Sequence, residues 1–120
     1  MQRRVPTNPE LASTIGYLKR MGRQHQTPLW MAVASYLSKS RRSRIVLNLG
    51  QVSRHAKDGD TVVVPGKVLG SGEPSVKLTI AAFKFSPSAL VKVQKAGGRC
   101  MAIPRLADEN PRGTKIRLLR

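Results

Sequence analysis

The residues best suited to binding chemistry lie in one short run, residues 39–44, which contains Lys39, Arg41, Arg42 and Arg44. Four cations in six residues suit a partner with closely spaced negative charges, and arginine pairs bidentately with phosphate. Such runs are commonly solvated tails, but this one passes directly into an apolar stretch that predicts a buried strand. The cations are therefore expected at the edge of a folded core, which favours a nucleic-acid backbone as the partner.

The charge of the whole chain supports the same interpretation. The chain has 22 Lys plus Arg against 6 Asp plus Glu, a formal charge of +16 on 120 residues. Self-repulsion destabilises a compact state with such a charge, so the native setting is expected to supply the missing anions. A soluble protein with a merely supercharged surface is the competing interpretation, but that surface also binds nucleic acids non-specifically.

Catalytic chemistry finds little support in the rest of the sequence. His25 and His55 stand far apart without the spacing of a metal site, and the single cysteine, Cys100, falls inside a short apolar stretch. A small buried side chain is the usual role of cysteine at such a position. The six acids do not form the convergent group that a magnesium-dependent enzyme needs. We therefore predict no catalytic residue, no metal, no cofactor and no small-molecule substrate.

A glycine-rich stretch at residues 66–72 invites comparison with phosphate-binding loops. The spacing fails, because Thr61 and Val68 stand where a P-loop needs glycine and serine or threonine. Two interpretations stay open: close approach of the backbone to an RNA strand, or a structural hairpin turn. The few aromatic residues are predicted to lie in the core, which leaves recognition by backbone charge and shape.

The composition is typical of one folded intracellular domain. Leu, Ile, Val and Phe make up a quarter of the residues, which is enough for a core despite the high charge. One cysteine excludes an intramolecular disulfide, and no apolar run approaches the roughly 18 residues of a membrane span. Residues 1–6 lack the apolar region of a secretory signal and are predicted to form a basic arm. No membrane association is expected.

The pattern of elements predicts an α/β fold that begins with a helical hairpin. Pro9 and Pro28 each follow a capping residue and open a helix with an apolar face, and Gly22 is expected to end the first helix. Strands and short helices are predicted to follow. The strands are expected at residues 45–48, 61–64, 76–85, 99–103 and 115–119, with Pro65-Gly66 ending the second and a bulge at Ala81-Ala82 in the third.

Several stretches of the chain carry a resemblance to a known family. Residues 37–50 read LSKSRRSRIVLNLG and residues 60–72 read DTVVVPGKVLGSG, and both motifs are long and specific. With them the opening Thr7-Asn8-Pro9, the tryptophan-bearing second helix and residues 110–117 also match, so the likeness covers essentially the entire chain. The chain resembles large-subunit ribosomal protein eighteen-e, a family of archaea and eukaryotes, and its short length is similar to that of the archaeal members.

The resemblance implies an irregular stack of β-β-α units after the helical hairpin, a core fold shared with bacterial large-subunit protein fifteen. It also implies a cytoplasmic structural component of the large ribosomal subunit, with rRNA and neighbouring ribosomal proteins as partners. One position departs from the family pattern. Members commonly carry Arg or Lys where this chain has Gln51, which is expected to hydrogen-bond instead of supplying a charge.

We predict one rRNA-binding domain over residues 1–120, with the run at residues 39–44 as its main phosphate clamp. A small architectural DNA-binding protein is the alternative that the charge alone would allow, and it would prefer duplex DNA. An RNA-modifying enzyme would need a convergent acid, base or metal site. The predicted RNA-binding residues are Arg3 and Arg4 in the arm, Lys39, Arg41, Arg42 and Arg44 in the clamp, and Arg54, Lys57 and Lys67 beside it.

Overall fold

A computed structural model of the chain describes residues 9–39, 45–74 and 76–120, in which two helices are followed by strands and shorter helices. The predicted α/β class and the helical hairpin at its start are both confirmed. The Asn8 cap, and the predicted contacts of Arg3, Arg4, Arg41, Arg42 and Arg44, lie outside the described residues. The elements are α1 Pro9–Gln24, α2 Pro28–Leu37, β1 Ile45–Asn48, α3 Leu49–Arg54, β2 Thr61–Leu69, β3 Thr79–Phe85, α4 Pro87–Lys95, β4 Arg99–Ala102, α5 Ile103–Glu109 and β5 Ile116–Leu118.

The five described strands form one sheet in which every pairing is parallel, with β2 at its centre. On one side β2 pairs with β3, and β3 pairs with β4. The other side of β2 carries two strands end to end: β5 along residues 61–63 and β1 along residues 66–69. The end of β5 therefore meets the beginning of β1 at the middle of the same sheet edge.

Helices cover both faces of this sheet. Val63 of β2 and Ala81 of β3 point into a cluster with α1, α2 and α5, whose largest fully buried side chain is Trp30. Val62 and Val64 point to the opposite face, against α3 and α4. Burial on both faces explains why β2 reads as a continuous apolar run rather than an alternating one.

The helical hairpin is tied to the far end of the chain by one carbonyl group. The Oγ1 of Thr27 and the Nε1 of Trp30 both donate to the carbonyl oxygen of Pro111, each at 2.9 Å. The prediction that Gly22 ends α1 is wrong, since the helix continues to Gln24. A Cβ on Gly22 would lie 2.7 Å from the Cγ of Met31, so this glycine allows the two helices to approach closely.

The prediction that Pro65-Gly66 ends the second strand is also wrong, because β2 runs through both residues. Proline has no N–H for a sheet ladder, and Pro65 falls between the residues that pair with β5 and those that pair with β1. The register of β2 with β3 also shifts at this point, between Val64 and Lys67. The predicted bulge at Ala81-Ala82 is therefore misplaced: pairing there is regular, and the irregularity lies opposite Phe83.

Candidate nucleic-acid interface

Exposed cations dominate the surface of the described part of the chain. Of the 22 Lys and Arg residues, 17 are described, and all but the half-buried Lys92 are exposed. The acids are largely committed to local structure. Asp58 accepts a hydrogen bond from the amide of Lys77, and Asp60 accepts one from the amide of Lys57, so both organise the turn before β2 as predicted.

Few of the described cations are neutralised by an acid beside them. The ion pairs among the described residues are Lys92–Glu73 at 2.8 Å, Arg105–Glu109 at 3.3 Å, and Arg99–Glu109 and Arg117–Asp60 at 3.6 Å. These pairs are largely exposed, and exposed pairs contribute little to stability. The surface therefore keeps a large positive excess, which is the electrostatic signature of a protein that binds a polyanion.

One group of charges gathers around Tyr36, in the last turn of α2. The Nζ of Lys39 lies 5.6 Å from the centroid of the Tyr36 ring, and the Cζ of Arg120 lies 5.7 Å from the same centroid. Lys39 is the first residue of the predicted clamp, and Arg120 was not among the residues predicted from sequence. We call Tyr36, Lys39 and Arg120 the ring cluster.

A second group of exposed residues crosses the sheet beside β1. Val46 pairs with Lys67, and Lys67 in turn pairs with Lys84, so the three form one row across β1, β2 and β3. The side chain of Val46 is 53% exposed and both lysines are exposed. Like charges in neighbouring strand positions repel each other, and a bound anion would relieve that repulsion.

The structure separates the predicted site residues that it describes. Lys39 and Lys67 lie toward the part of the sheet where β1 begins, whereas Arg54 ends α3 and Lys57 lies in the turn before β2. Six residues of extended strand separate Thr61 from Lys67, about 20 Å. Lys57, whose amide donates to Asp60 directly before β2, therefore lies far from Lys67, and any RNA contact it makes belongs to a different part of the surface.

The glycines of residues 66–72 serve packing inside the protein. A Cβ on Gly66 would lie 2.0 Å from the carbonyl oxygen of Ile45, and one on Gly72 would lie 2.7 Å from the amide nitrogen of Gly50. The Nζ of Lys92 donates to the carbonyls of Gly70 and Gly72 at 2.8 and 2.9 Å, which fixes the loop to α4. The hairpin interpretation is wrong because β2 and β3 are parallel. The approach of this backbone to an RNA strand stays a prediction.

Gln51 has a structural role at the start of α3. Its amide donates to the Oδ1 of Asn48 at 2.9 Å, and its Oε1 accepts from the Asn48 amide at 2.9 Å. This reciprocal pair is a capping box at the start of α3. The side chain of Gln51 thus bonds within the protein, whereas the prediction placed its hydrogen bond where a cation would contact phosphate. The spacing of Asn and Gln three residues apart was the signal in the sequence.

The groups that could support catalysis lie apart in the described residues. His25 and His55 are both exposed. Cys100 is half-buried rather than fully buried as predicted, and its burial raises the pKa of the thiol from 9.0 to about 11. At neutral pH it is therefore a thiol rather than the nucleophilic thiolate. Within the described ranges, no three His, Cys, Asp or Glu side chains gather as a metal site would require.

The helices that the structure describes include none with both the length and the apolar character needed to span a bilayer. The longest is α1, with 16 residues and cations along its exposed side.

Comparison with known proteins gives matches along nearly the whole chain. The family described as ribosomal protein 60S L18 and 50S L18e matches residues 5–120. A large ribosomal subunit protein eL18 from Methanospirillum hungatei is 40% identical over 119 residues, 99% of this chain and 98% of its own length. Proteins of the same name from Pyrobaculum aerophilum and Methanopyrus kandleri are 41% and 42% identical, covering 95% of this chain and 93% and 94% of their own lengths.

Proposed function

The chain belongs to the family of ribosomal proteins 60S L18 and 50S L18e, and on this premise we propose that it binds rRNA through Arg and Lys contacts to backbone phosphates. Such contacts would stabilise the tertiary fold of the rRNA where its segments converge. The place of action that follows from the proposal is the large ribosomal subunit in the cytoplasm.

Membership of this family establishes that the chain is a structural protein of the large ribosomal subunit. The resemblance inferred from residues 37–50 and 60–72 is confirmed, and the family consists of structural proteins of the large ribosomal subunit. The prediction that the chain is not an enzyme is confirmed on the same ground. Its partners are those of the family, rRNA and other large-subunit proteins.

The observation that carries the rRNA proposal is the excess of exposed cations. Sixteen of the 17 described Lys and Arg side chains are exposed, and the ion pairs among the described residues engage only three of these sixteen. A polyanion that covers this surface would remove the self-repulsion of a chain with a charge of +16. RNA supplies one phosphate per nucleotide along a backbone that long flexible cations can follow.

Recognition by charge and shape fits the positions of the aromatic residues. Trp30 is 0% exposed and belongs to the core, and Phe83 and Phe85 are half-buried against the two faces of the sheet. Base stacking by RNA-binding domains needs exposed aromatic rings on a strand surface. The phosphate backbone is therefore the part of the RNA that this surface is suited to contact.

Within this proposal, residues 1–120 act as one rRNA-binding domain and residues 39–44 supply the main clamp. The structure describes Lys39, the first residue of that run, next to Tyr36, and Ile45, directly after the run, paired with Gly66 in the sheet. Cations attached to such fixed points lose less entropy on binding than cations in a free tail. Arg3 and Arg4 are proposed as a terminal anchor, and Arg54, Lys57 and Lys67 as further contacts.

Replacing Arg41 and Arg42 together with alanine should weaken binding to large-subunit rRNA fragments and flatten its dependence on salt. Each lost phosphate contact reduces the slope of log K against log salt by roughly 0.7 to 0.9, so the double variant should lose about 1.4 to 1.8. The affinity at about 0.15 M salt should fall on the order of tenfold. Filter binding or fluorescence anisotropy over a range of salt concentrations measures both quantities.

The matched control for this experiment is Arg105→Ala. Arg105 is exposed like the clamp arginines are expected to be, but its Nε already lies 3.3 Å from a carboxylate oxygen of Glu109. Its removal should leave the slope unchanged. An unchanged slope and affinity for the Arg41→Ala/Arg42→Ala variant would show that the clamp is assigned to the wrong residues.

A further inference from the structure

We propose that the ring cluster of Tyr36, Lys39 and Arg120 is a binding site for one phosphate group of an RNA backbone, shared by the two cations. The inference rests on the proposed function and adds to it a site, a shared ligand and a positioning residue. Tyr36 is the positioning residue, because its ring holds both cations while the phosphate contacts only Lys39 and Arg120.

The geometry of the ring limits how far apart the two charges can lie. The Nζ of Lys39 and the Cζ of Arg120 are 5.6 and 5.7 Å from the centroid of the same ring. Their separation cannot exceed the sum of these distances. Both side chains are exposed and have several rotatable bonds, so their ends can turn toward one anion. A tetrahedral phosphate offers separate oxygens to an ammonium and to a guanidinium group.

Two backbone hydrogen bonds fix the points from which these cations extend. The amide of Ser38, directly before Lys39, donates to the carbonyl of Ala34 at 3.0 Å and ends α2. The amide of Leu119, directly before Arg120, donates to the carbonyl of Val63 at 3.0 Å and holds the chain against β2. The two cations therefore come from fixed parts of the fold, although 81 positions separate them in the sequence.

The electrostatics of the cluster favour an anion over a stacked base. An exposed cation–π contact contributes about 0.5–1 kcal/mol, but two cations at one ring also repel each other. An anion that contacts both cations removes that repulsion. A neutral base stacked on the ring would leave the repulsion between the two cations in place. The two charges of the cluster therefore suit a phosphate. Its position also fits, because the end of β5 meets the beginning of β1, directly after the predicted clamp.

The test compares Lys39→Ala, Arg120→Ala and the double variant in binding to a large-subunit rRNA fragment over a range of salt concentrations. A shared phosphate is still neutralised when one cation remains, so each single variant should lose affinity severalfold with little change in slope. The double variant should lose one contact, a decrease in slope of roughly 0.7 to 0.9. Arg105→Ala is the control and should leave the slope unchanged.

Substitutions of Tyr36 separate its positioning role from its contribution to folding. Tyr36→Phe keeps the ring and should bind like the unchanged protein. Tyr36→Leu keeps an apolar side chain in the half-buried position but removes the ring, so affinity should fall severalfold while the slope stays the same. The melting temperatures of both variants, measured without RNA, should agree within a few degrees. Equal RNA affinity of the Phe and Leu variants would overturn the role of the ring.

Failure of this site and failure of the proposed function give different results. If the unchanged protein binds the rRNA fragment but the double variant binds with the same affinity and slope, the site is wrong and the proposed function stands. If each single variant loses a full contact and the double variant loses two, Lys39 and Arg120 bind separate phosphates and the shared site is overturned. If the unchanged protein does not bind rRNA, the proposed function fails and the site fails with it.

Discussion

Gly66→Ala should destabilise the protein by at least about 3 kcal/mol and weaken its binding to RNA. A Cβ at this position would lie 2.0 Å from the carbonyl oxygen of Ile45 and 2.8 Å from its carbonyl carbon, both of them backbone atoms of β1. Overpacking with a movable side chain already costs about 1–3 kcal/mol, and here β1 itself must move away from β2. Such a loss is a large share of the roughly 5–15 kcal/mol that keeps a domain folded.

The position of β1 connects this loss of stability to function. The predicted clamp at residues 39–44 directly precedes Ile45, and Ile45 pairs with Gly66. A shift of β1 would also shift the clamp residues, which directly precede Ile45 in the chain. We therefore expect Gly66→Ala to lower rRNA affinity even at temperatures where the variant stays folded. Urea unfolding followed by circular dichroism measures the stability, and anisotropy measures the binding.

Gly16→Ala is the matched control, since it makes the same chemical change in a position with free space. Gly16 lies within α1, and no atom outside its own helical turn lies within 4 Å of an added Cβ. Alanine is favoured over glycine in a helix by about 1 kcal/mol, so this variant should be slightly more stable than the unchanged protein. Equal stability of the two variants would contradict the packing of β1 against Gly66.

Trp30→Ala should cost about 3–5 kcal/mol, the usual range for the loss of a large fully buried aromatic side chain. Trp30 is 0% exposed and is the largest fully buried side chain of the described core. It packs in the cluster that joins α1, α2 and α5 to the sheet, and it also holds the turn at Pro111 through its indole nitrogen. The substitution therefore leaves a cavity and removes a contact between distant parts of the chain.

Trp30→Phe separates these two contributions. Phenylalanine keeps most of the apolar volume but cannot donate to the carbonyl of Pro111, which would retain only the bond from Thr27. A lost hydrogen bond and a small cavity should together cost about 1–2 kcal/mol. Because Trp30 is the single tryptophan, circular dichroism rather than fluorescence must follow the unfolding. A cost below about 1 kcal/mol for Trp30→Ala would show that the ring does not belong to the core.

Much of the fold follows from local signals in the sequence. Pro9 and Pro28 open helices as predicted, since proline is tolerated in the first helical turn and its fixed φ suits that position. The strand at residues 45–48 is confirmed at both ends. Its first end follows the charge run, and its second end is set by the capping box of Asn48 and Gln51, so each limit depends on neighbouring residues alone.

The errors in the fold arise from interactions between distant residues. The residue types alone predict that Pro65-Gly66 ends a strand. β2 nevertheless continues, because β5 pairs with the residues before Pro65 and β1 with those after it, so no strand on that side needs a hydrogen bond from the proline nitrogen. Gly22 ends a helix by local rules, but in the fold it makes room for Met31 of α2. Neither the pairing of strands nor the approach of helices can be derived from the residues near these positions.

The candidate site likewise combines a residue that a local sequence signal predicts with residues that only the fold brings together. Lys39 was identified from its place in a dense charge run, which is a local property of the sequence. Arg120 and Tyr36 were not predicted, because only the meeting of β5 with β1 and the end of α2 brings Arg120 to the ring. Conversely, Lys57 is close to Lys67 in sequence, but the length of β2 separates the two.

The most direct test of the central proposal is a sucrose-gradient profile of native lysate in moderate salt and magnesium, probed for this chain. We expect co-sedimentation with the large ribosomal subunit, and release only when high salt or removal of magnesium weakens the contacts between cations and rRNA. Recovery in DNase-sensitive nucleoid material, with none in the large subunit, would contradict the proposal and favour an architectural DNA-binding protein.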